Sequence, residues 1–473
     1  MADETIADLS LAEVADAIRA KRITSVEATE AALARLKRFG GPDRLNCLAG
    51  LDEEDALRQA KAADADLAKG RARGFLHGVP LAHKDMYFRA GRPSGCGSRF
   101  LNDVPARTTA AALERLDAAG AIEIARLAMV EFALGLTGHN VVVGTPRNPW
   151  NPAHITGGSS SGAAAAVAAR LVYGALGSDT GGSIRFPAAA CGIVGLKPTL
   201  GRVSRYGALA LSFSLDTVGP LARTVTDCAL IYDAIAGFDP RDPGSSRRAP
   251  EPTVPRLEGG VRGLRVGVPT SYFYDPLTPE MTKLVQASLE VFRAEGAQVI
   301  EVDIPDIAAA NPLTLLITAT EGAAAHGRQL PDHARDYGPQ TLARLAAGLL
   351  VPASAYIEAL AWRKALVRAF CKAVFERCDV LHVPVMVASP PTIAESDVGA
   401  NPGFARQMTA MGHCTRPFNF LALPSISVPC GFAANGLPAA FQLAARPFAE
   451  STLLRASRAY ERATDWHRQA PAL

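Results

Sequence analysis

The segment Thr180-Gly-Gly-Ser183 is a candidate for nucleophilic chemistry because a hydroxyl follows two adjacent glycines. Two glycines let the backbone turn so that successive N–H groups point the same way. A hydroxyl at the end of such a nest can attack a carbonyl whose oxygen is held by those N–H groups. A tight turn with Ser183 as a local cap is the alternative. This segment alone fits both interpretations equally well.

Lys84 is a candidate base because it follows the apolar run Val79-Pro-Leu-Ala82. Burial disfavours the ammonium form and lowers the pKa of a lysine, which makes the neutral amine available. Most lysines are instead exposed or paired, and Asp85 offers Lys84 a partner for a salt bridge. On its own, Lys84 fits this more ordinary description better.

A third candidate is the Gly/Ser loop Thr156-Gly-Gly-Ser-Ser-Ser-Gly162, which opens onto an Ala-rich run. A helix starting there leaves free N–H groups and several hydroxyls together at its positive end. A flexible linker is the competing interpretation. The loop also matches G-x-S-x-G, but the Pro-rich segment 148–154 precedes it instead of the strand that a nucleophile elbow requires. The triplet Asp179-Thr-Gly181 has no second copy to supply the paired carboxylate of an aspartic protease.

The elements that must position these residues follow an α/β order. Capping boxes at Ser10–Glu13 and Thr24–Glu27 predict two N-terminal helices. Periodicity predicts strands at 78–85, 122–125, 264–268, 298–302, 380–387 and 425–428, and helices at 53–68, 109–119, 280–295 and 450–467. Residues 138–220 are rich in Gly, Ser and Pro, but their apolar runs predict packed structure. We expect one large α/β domain with a mixed twisted sheet, largely parallel and flanked by helices on both faces.

Composition excludes several functional classes. The 473 residues carry a net charge of +3, too small to indicate nucleic acid or an acidic membrane surface as a partner. The eight cysteines are scattered without a C-x-x-C pair, so neither a zinc site nor a disulfide framework is predicted. The first residues lack the pattern of a signal peptide, and we expect a cytoplasmic protein without membrane, metal or cofactor. A homodimer is among the assemblies that the sequence allows.

The combination of these segments resembles the amidase signature family. The resemblance runs through the following motifs: Gly78-Val-Pro-Leu-Ala-His-Lys-Asp85, Gly157-Gly-Ser-Ser-Ser-Gly162, Asp179-Thr-Gly-Gly-Ser-Ile-Arg-Phe-Pro187, Cys191-Gly-Ile-Val-Gly-Leu-Lys-Pro198 and Gly201-Arg-Val-Ser-Arg-Tyr-Gly207. Weaker agreement returns at Pro417-Phe-Asn419 and Pro424–Gly431. The resemblance implies one domain over 1–473, with the signature core at 65–225, a variable substrate-side region at 230–410 and a return to the core at 411–473.

The resemblance also implies roles for individual residues. Lys84 matches the base, Ser159 the relay serine held by a cis peptide bond, and Ser183 the nucleophile. The backbone of Thr180, Gly181, Gly182 and Ser183 matches the oxyanion hole, and the supporting residues match Ser160, Asp179 and Arg185. The chemistry is consistent, since one serine between base and nucleophile can carry a proton in both directions.

The family includes hydrolases of small amides, aryl amides and carbamates, and the glutaminase subunit of a tRNA-dependent amidotransferase. That subunit typically carries an acidic residue, which recognises the glutamine amino group, where Gly412 stands here. Its R-F-D-G segment is also absent around 325–340. We therefore expect a free-standing amidase that takes a small linear amide, an aryl or alkyl amide, or a carbamate (urethane). The amidotransferase subunit remains the main alternative, and a catalytically silent binding protein is a weaker one.

The segment Leu345–Trp362 is apolar and is interrupted by Pro352. It fits a helical hairpin over the site entrance, which would suit an aryl or alkyl substrate, and it fits an ordinary core helix equally well.

Overall fold

A single mixed β-sheet organises the chain. The computed structural model describes residues 3–101, 104–397, 399 and 403–473. In that part of the chain the strands are β1 Leu48–Leu51, β2 Pro80–Lys84, β3 Ile122–Leu127, β4 Gly174–Asp179, β5 Val194–Lys197, β6 Thr217–Ala222, β7 Arg265–Pro269, β8 Gln298–Val302, β9 Val380–Pro384, β10 Ser425–Phe432 and β11 Pro438–Ala445. They form one eleven-stranded sheet in the order β1-β3-β2-β4-β6-β5-β10-β11-β9-β7-β8. One large α/β domain is confirmed.

Helices cover the sheet and line its loops. Their bounds in the described residues are α1 Asp3–Asp8, α2 Leu11–Arg19, α3 Ser25–Phe39, α4 Glu53–Ala68, α5 Ala111–Ala118, α6 Ser161–Ala168, α7 Arg185–Cys191, α8 Val225–Ile235, α9 Pro279–Ala294, α10 Ala310–His326, α11 Leu330–His333, α12 Pro339–Leu349, α13 Ala353–Phe375, α14 Phe404–Met411, α15 Arg416–Phe420 and α16 Glu450–Arg462. Short 3₁₀ helices lie at Glu131–Ala133, Val254–Gly259 and Trp466–Arg468. Both predicted capping boxes are present, at the starts of α2 and α3.

The prediction of a largely parallel sheet is wrong. Parallel pairing is confined to β3-β2-β4 on one side and to β9-β7-β8 on the other. The six remaining pairings are antiparallel. The hairpin of β10 and β11 has only the turn at 433–437 between its strands, too short for the crossover that parallel strands need. The connection between β5 and β6 likewise contains no helix.

The sheet brings the candidate residues to one edge. Strands β2 and β4 are parallel neighbours, with Ala82 paired to Ala175 and His83 to Leu176. Lys84 is the last residue of β2 and Asp179 is the last of β4. The carboxyl ends of adjacent parallel strands open at the same edge, where α/β proteins commonly place their sites.

Residues 138–220 are packed structure, as predicted, and not a linker. Every residue of α6 is buried, and so is every residue of α7. All residues of α6 except Val167 are Ala, Gly or Ser, and such small side chains let a helix approach its neighbours closely. The loop that precedes α6 is consequently held against the sheet.

Candidate active site

Lys84 is buried and bonded to two serines. Its Nζ donates to Ser159 Oγ at 2.7 Å and to Ser178 Oγ at 2.8 Å. Burial lowers the pKa of the Lys84 ammonium to about 7, although the nearby carboxylates of Asp216 and Asp179 favour the charged form. Lys84 forms no ion pair with a described residue, Asp85 included. The ordinary alternative, a surface or salt-bridged lysine, is therefore wrong.

The Gly/Ser loop lies directly beside Lys84. The Gly158–Ser159 peptide bond is cis. The Ser159 carbonyl oxygen accepts from Val130 N at 3.2 Å, and Ser160 N donates to the Ser183 carbonyl at 3.3 Å. Ser160 Oγ donates to the carbonyl of Ser178 at 3.3 Å. These bonds tie the loop to the turn that carries Ser183, so the structure brings the three segments together.

Asp179 organises the turn that follows β4. Its carboxylate accepts from Gly182 N at 2.7 Å and from Ile184 N at 3.2 Å. It also accepts from Arg185 Nε and Nη2, both at 3.0 Å. Burial by itself would raise the pKa of this carboxyl, but the charge and hydrogen bonds of Arg185 hold it well below its ordinary value. Asp179 and Arg185 thus form a buried ion pair at the base of the turn.

The hydrogen bonds of this turn divide its backbone amides into two kinds. Gly182 N is committed to Asp179, whereas the amides of Thr180, Gly181 and Ser183 have no acceptor among the described residues. Gly182 has φ = 127°, which an L side chain rarely adopts, and a Cβ there would lie 2.3 Å from Thr415 Oγ1. Glycine is therefore required at 182 by backbone conformation and by space.

Asp216 is a residue that the sequence analysis missed. It accepts from Thr180 Oγ1 at 2.6 Å and from the backbone amides of Leu211 and Ser212 at 2.9 and 2.8 Å. Burial raises its pKa, and these hydrogen bonds act in the opposite direction. Asp216 holds the first residue of the turn and places a carboxylate near Lys84. Ser178, the second partner of Lys84, was missed too, because nothing in its neighbours marks it in the sequence.

Residues from the C-terminal part of the chain complete the support of Arg185. Its Nη1 donates to the Thr415 carbonyl and to Gln442 Oε1, both at 3.0 Å, and its Nη2 donates to Asn419 Oδ1 at 2.6 Å. Asn419 Nδ2 in turn donates to Asp179 Oδ1 at 2.8 Å. The Pro417-Phe-Asn419 segment, noted in the sequence for its resemblance, therefore supports the turn that carries Ser183.

A cavity of about 490 Å³ opens beside Ser183. Thr180, Gly181 and Ser183 are among the residues that line it. The remaining lining is mostly apolar and comes largely from α10, α12 and the segment around the first 3₁₀ helix, with the following residues: Ala133, Leu134, Gly135, Leu136, Leu211, Thr314, Leu315, Thr318, Ala319, Gln340, Ala343, Arg344, Ala347, Met408, Thr409 and Arg416. The cavity is large enough for a small amide with a short acyl group.

The apolar segment at 345–362 is a corner between two helices. Helices α12 and α13 meet at 92° around residues 350–352. Ala347 of this segment lines the cavity, whereas Leu350, Ile357 and Trp362 are exposed. Of these two helices, only α12 lines the cavity, and three of its four lining residues precede this segment.

Neither a single helix long and apolar enough to cross a membrane nor a metal-ligating cluster occurs among the described residues. Among the described residues, the bent pair of α12 and α13 is the one combination that is long and apolar enough for a span, by length and composition alone.

Comparison with known proteins agrees with the geometry. The family model described as Amidase matches residues 27–454. The A-type subunit of glutamyl-tRNA(Gln) amidotransferase from Roseiflexus sp. (strain RS-1) is 40% identical, and the alignment covers 98% of each chain. Two solved structures are similar over nearly the full length. One is described as an inhibitor-bound vestigial protein complex that reveals the evolutionary origins of an s-triazine catabolic enzyme, with 35% identity, a TM-score of 0.89, and 96% and 98% of the two chains covered.

The other is a bacterial aryl acylamidase of the amidase signature enzymes, with 28% identity, a TM-score of 0.87, and 98% and 99% of the chains covered. The fold, the lysine–serine pair and the glycine-rich turn define a class of enzymes that acts on C–N bonds. The chain belongs to the amidase family, which is the amidase signature family that its motifs resemble.

Proposed function

We propose that this protein hydrolyses the C–N bond of a small linear amide, an aryl or alkyl amide, or a carbamate through an acyl-enzyme on Ser183. The observation that carries the proposal is the buried contact of 2.7 Å between Lys84 Nζ and Ser159 Oγ. A lysine whose pKa is about 7 is substantially neutral near neutral pH. It can therefore accept a proton, which an ordinary lysine cannot do under these conditions.

The proton follows one route in both directions. As Ser183 Oγ attacks the carbonyl carbon, its proton passes to Ser159, and Ser159 gives its own proton to Lys84. The reverse transfer protonates the leaving nitrogen, so that the C–N bond breaks and the acyl group stays on Ser183. Water then attacks the ester, with the same relay removing its proton, and releases the acid.

The developing oxyanion needs backbone N–H donors that are not already hydrogen-bonded within the protein. The amides of Gly181 and Ser183 have no acceptor among the described residues and border the cavity, while Thr180 supplies a third such amide. Gly182 N already donates to Asp179. We therefore propose that Gly182 sets the backbone conformation of the turn and does not itself donate to the oxyanion. Preorganised donors of this kind contribute about 3 to 4 kcal/mol each to transition-state stabilisation. Asp179, Arg185 and Ser160 keep the donors in place.

A glutaminase subunit of a tRNA-dependent amidotransferase is the second candidate. It is favoured by the 40% identity to the A-type subunit of glutamyl-tRNA(Gln) amidotransferase over 98% of both chains. Such a subunit would work with partner chains. For this candidate we therefore also propose an assembly with another chain, which the comparison structure of a protein complex supports. Gly412 in place of an acidic residue argues against glutamine as the substrate.

The test is ammonia or amine release by the purified single chain. Acetanilide, a primary amide, a carbamate and glutamine are compared as substrates, for the wild type, Ser183→Ala and Ser159→Ala. We expect Ser183→Ala to lose at least about 10³-fold in kcat/KM and Ser159→Ala at least about 10²-fold. Ser161→Ala, in the same serine run, is the matched control and should remain within about twofold of the wild type.

Unchanged turnover by Ser183→Ala would overturn the acyl-enzyme assignment. If glutamine were the only substrate turned over, and only after partner chains were added, the result would favour the amidotransferase subunit over the free-standing hydrolase.

A further inference from the structure

Arg416 is a buried cation on the wall of the catalytic cavity, and the proposed mechanism gives it no task. It is 3% exposed and lines the same cavity as Ser183. Its side chain lies across two glycines. A Cβ at Gly412 would sit 2.2 Å from its Cζ, and a Cβ at Gly181 would sit 3.3 Å from its Cγ. The guanidinium therefore occupies the space that any larger residue at 412 would need. The aliphatic part of the Arg416 side chain lies against Gly181, in the turn that carries Ser183.

Among the described residues, the hydrogen-bond partners of Arg416 are all uncharged. Nη1 donates to Asn311 Oδ1 at 2.8 Å and to the Thr409 carbonyl at 3.4 Å, and Nη2 donates to the Met408 carbonyl at 2.9 Å. Arg416 forms no ion pair with a described residue. A buried charge without a counter-charge is costly, and at neutral pH the arginine keeps its proton.

A second arginine faces the same cavity. Arg344 of α12 lines it and donates to the Leu134 carbonyl at 2.6 Å. Burial lowers the pKa of Arg416 to about 9, and the positive charge of Arg344 acts in the same direction. Within the described residues, no Asp or Glu side chain lines this cavity. The cavity is thus mostly apolar and has a positive electrostatic potential, so that binding of a ligand anion would be favourable.

We propose that the cavity selects amides whose acyl group ends in a carboxylate, that is, monoamides of dicarboxylic acids. The inference rests on the proposed hydrolase function and names its substrate class. The substrate carboxylate meets Arg416, with Arg344 adding to the field, while Leu134, Leu136 and Met408 contact the methylene chain. Since Arg416 lies against Gly181, the carboxylate is held close to the turn that receives the amide carbonyl.

The same geometry disfavours glutamine. Glutamine carries a carboxylate, but its α-ammonium would enter a cavity that two guanidinium groups face and that no described carboxylate lines. An acidic side chain at 412 could not coexist with the present position of Arg416, because even its Cβ would collide with the guanidinium. The arginine and the glycine are therefore one coupled feature.

Three primary amides of equal chain length test the inference by ammonia release. Glutaramate is an anion, pentanamide is neutral, and glutamine adds an ammonium to glutaramate. For the wild type we expect kcat/KM to be highest for glutaramate, about 10- to 100-fold above pentanamide, as for one charged hydrogen-bonded contact. Glutamine should fall below glutaramate by at least about tenfold. Arg416→Met, which keeps the stem and removes the charge, should reduce the ratio of kcat/KM between glutaramate and pentanamide to about one.

Arg363→Met is the matched control. Arg363 also donates to backbone carbonyls, those of Phe420, Ser214 and Asn419, and it does not line the cavity. Its substitution should leave the ratio between glutaramate and pentanamide unchanged. An equal loss for all three amides in Arg416→Met would show a purely structural arginine and overturn the inference, as would a wild-type preference for pentanamide.

Binding separates this inference from the proposed function. Titration calorimetry on Ser183→Ala, which retains both arginines, should show glutaramate binding at least about tenfold more tightly than pentanamide. If that preference appears but the wild type turns over no amide, the proposed function fails and the selectivity stands. If turnover appears without the preference in either measurement, the selectivity alone fails. Calorimetry on the Ser183→Ala protein also decides the matter if Arg416→Met does not fold.

Discussion

Replacing Lys84 by Met should stabilise the protein near neutral pH while abolishing turnover. The pKa of Lys84 is about 7 instead of the ordinary 10.5. The unfolded chain therefore binds a proton that the folded chain releases between these two pH values. Because the unfolded state binds more protons there, stability falls as pH decreases from 10.5 to 7, by about 5 kcal/mol in total. Methionine removes this pH-dependent cost.

The loss of two hydrogen bonds offsets part of the gain. Ser159 and Ser178 each lose the Lys84 donor, at about 1 kcal/mol apiece. The net gain is then about 3 kcal/mol at pH 7, whereas at pH 10 the protein loses about 1 kcal/mol. For a chain of this length, 1 kcal/mol corresponds to roughly 1 °C in Tm.

The assay is a thermal melt of the wild type and Lys84→Met at pH 7 and pH 10. We expect the variant to melt about 3 °C higher than the wild type at pH 7 and about 1 °C lower at pH 10. Lys61→Met, at an exposed position of α4, is the control and should shift Tm equally at both pH values. A change in Tm that is the same at pH 7 and pH 10 for Lys84→Met would refute the reasoning.

Three further predictions concern the same turn and its base. With pentanamide as substrate, kcat/KM should rise with pH through about 7 and then level off, since the base must be neutral; a flat profile from pH 6 to 8 would contradict this. Asp179→Asn leaves Arg185 buried without its counter-charge and should cost about 3 to 5 kcal/mol in urea unfolding, and a cost under about 1 kcal/mol would exclude the ion pair as the source. Gly182→Ala should lower turnover at least about 100-fold, because φ is 127° and its Cβ would collide with Thr415. Gly260→Ala, also at positive φ but in open space, is the control and should retain turnover.

Local signals in the sequence were sufficient for several elements, whereas the roles of Lys84, Ser159 and Ser183 stay predictions that rest on the resemblance of their combined motifs. Capping boxes located α2 and α3, and the predicted strand at 298–302 has the same bounds as β8. The final helix ends earlier than expected, at Arg462, and a 3₁₀ turn follows. These signals are carried by neighbouring residues, so they can be recognised without knowledge of tertiary contacts.

The rest of the site depends on contacts between distant parts of the chain. Asp216 reaches Thr180 across 36 positions, and Asn419 reaches Asp179 across 240. Nothing adjacent to Asp216 in the sequence distinguishes it from an ordinary loop carboxylate. The antiparallel centre of the sheet was missed for the same reason, because strand periodicity carries no information about pairing direction.

In the proposed mechanism, the short helix α15 connects the turn that carries Ser183 with the site that selects the substrate. One of its residues, Asn419, bonds both Asp179 and Arg185 and so holds the turn of Ser183. Another, Arg416, lies on Gly181 and faces the cavity. Because both side chains belong to a helix of five residues, the proposed carboxylate site cannot move independently of the nucleophile turn. A substrate anion bound at Arg416 would therefore be held at a fixed distance from Ser183. For acyl groups one methylene shorter or longer than the best one, we expect the decrease in kcat to be larger than the increase in KM.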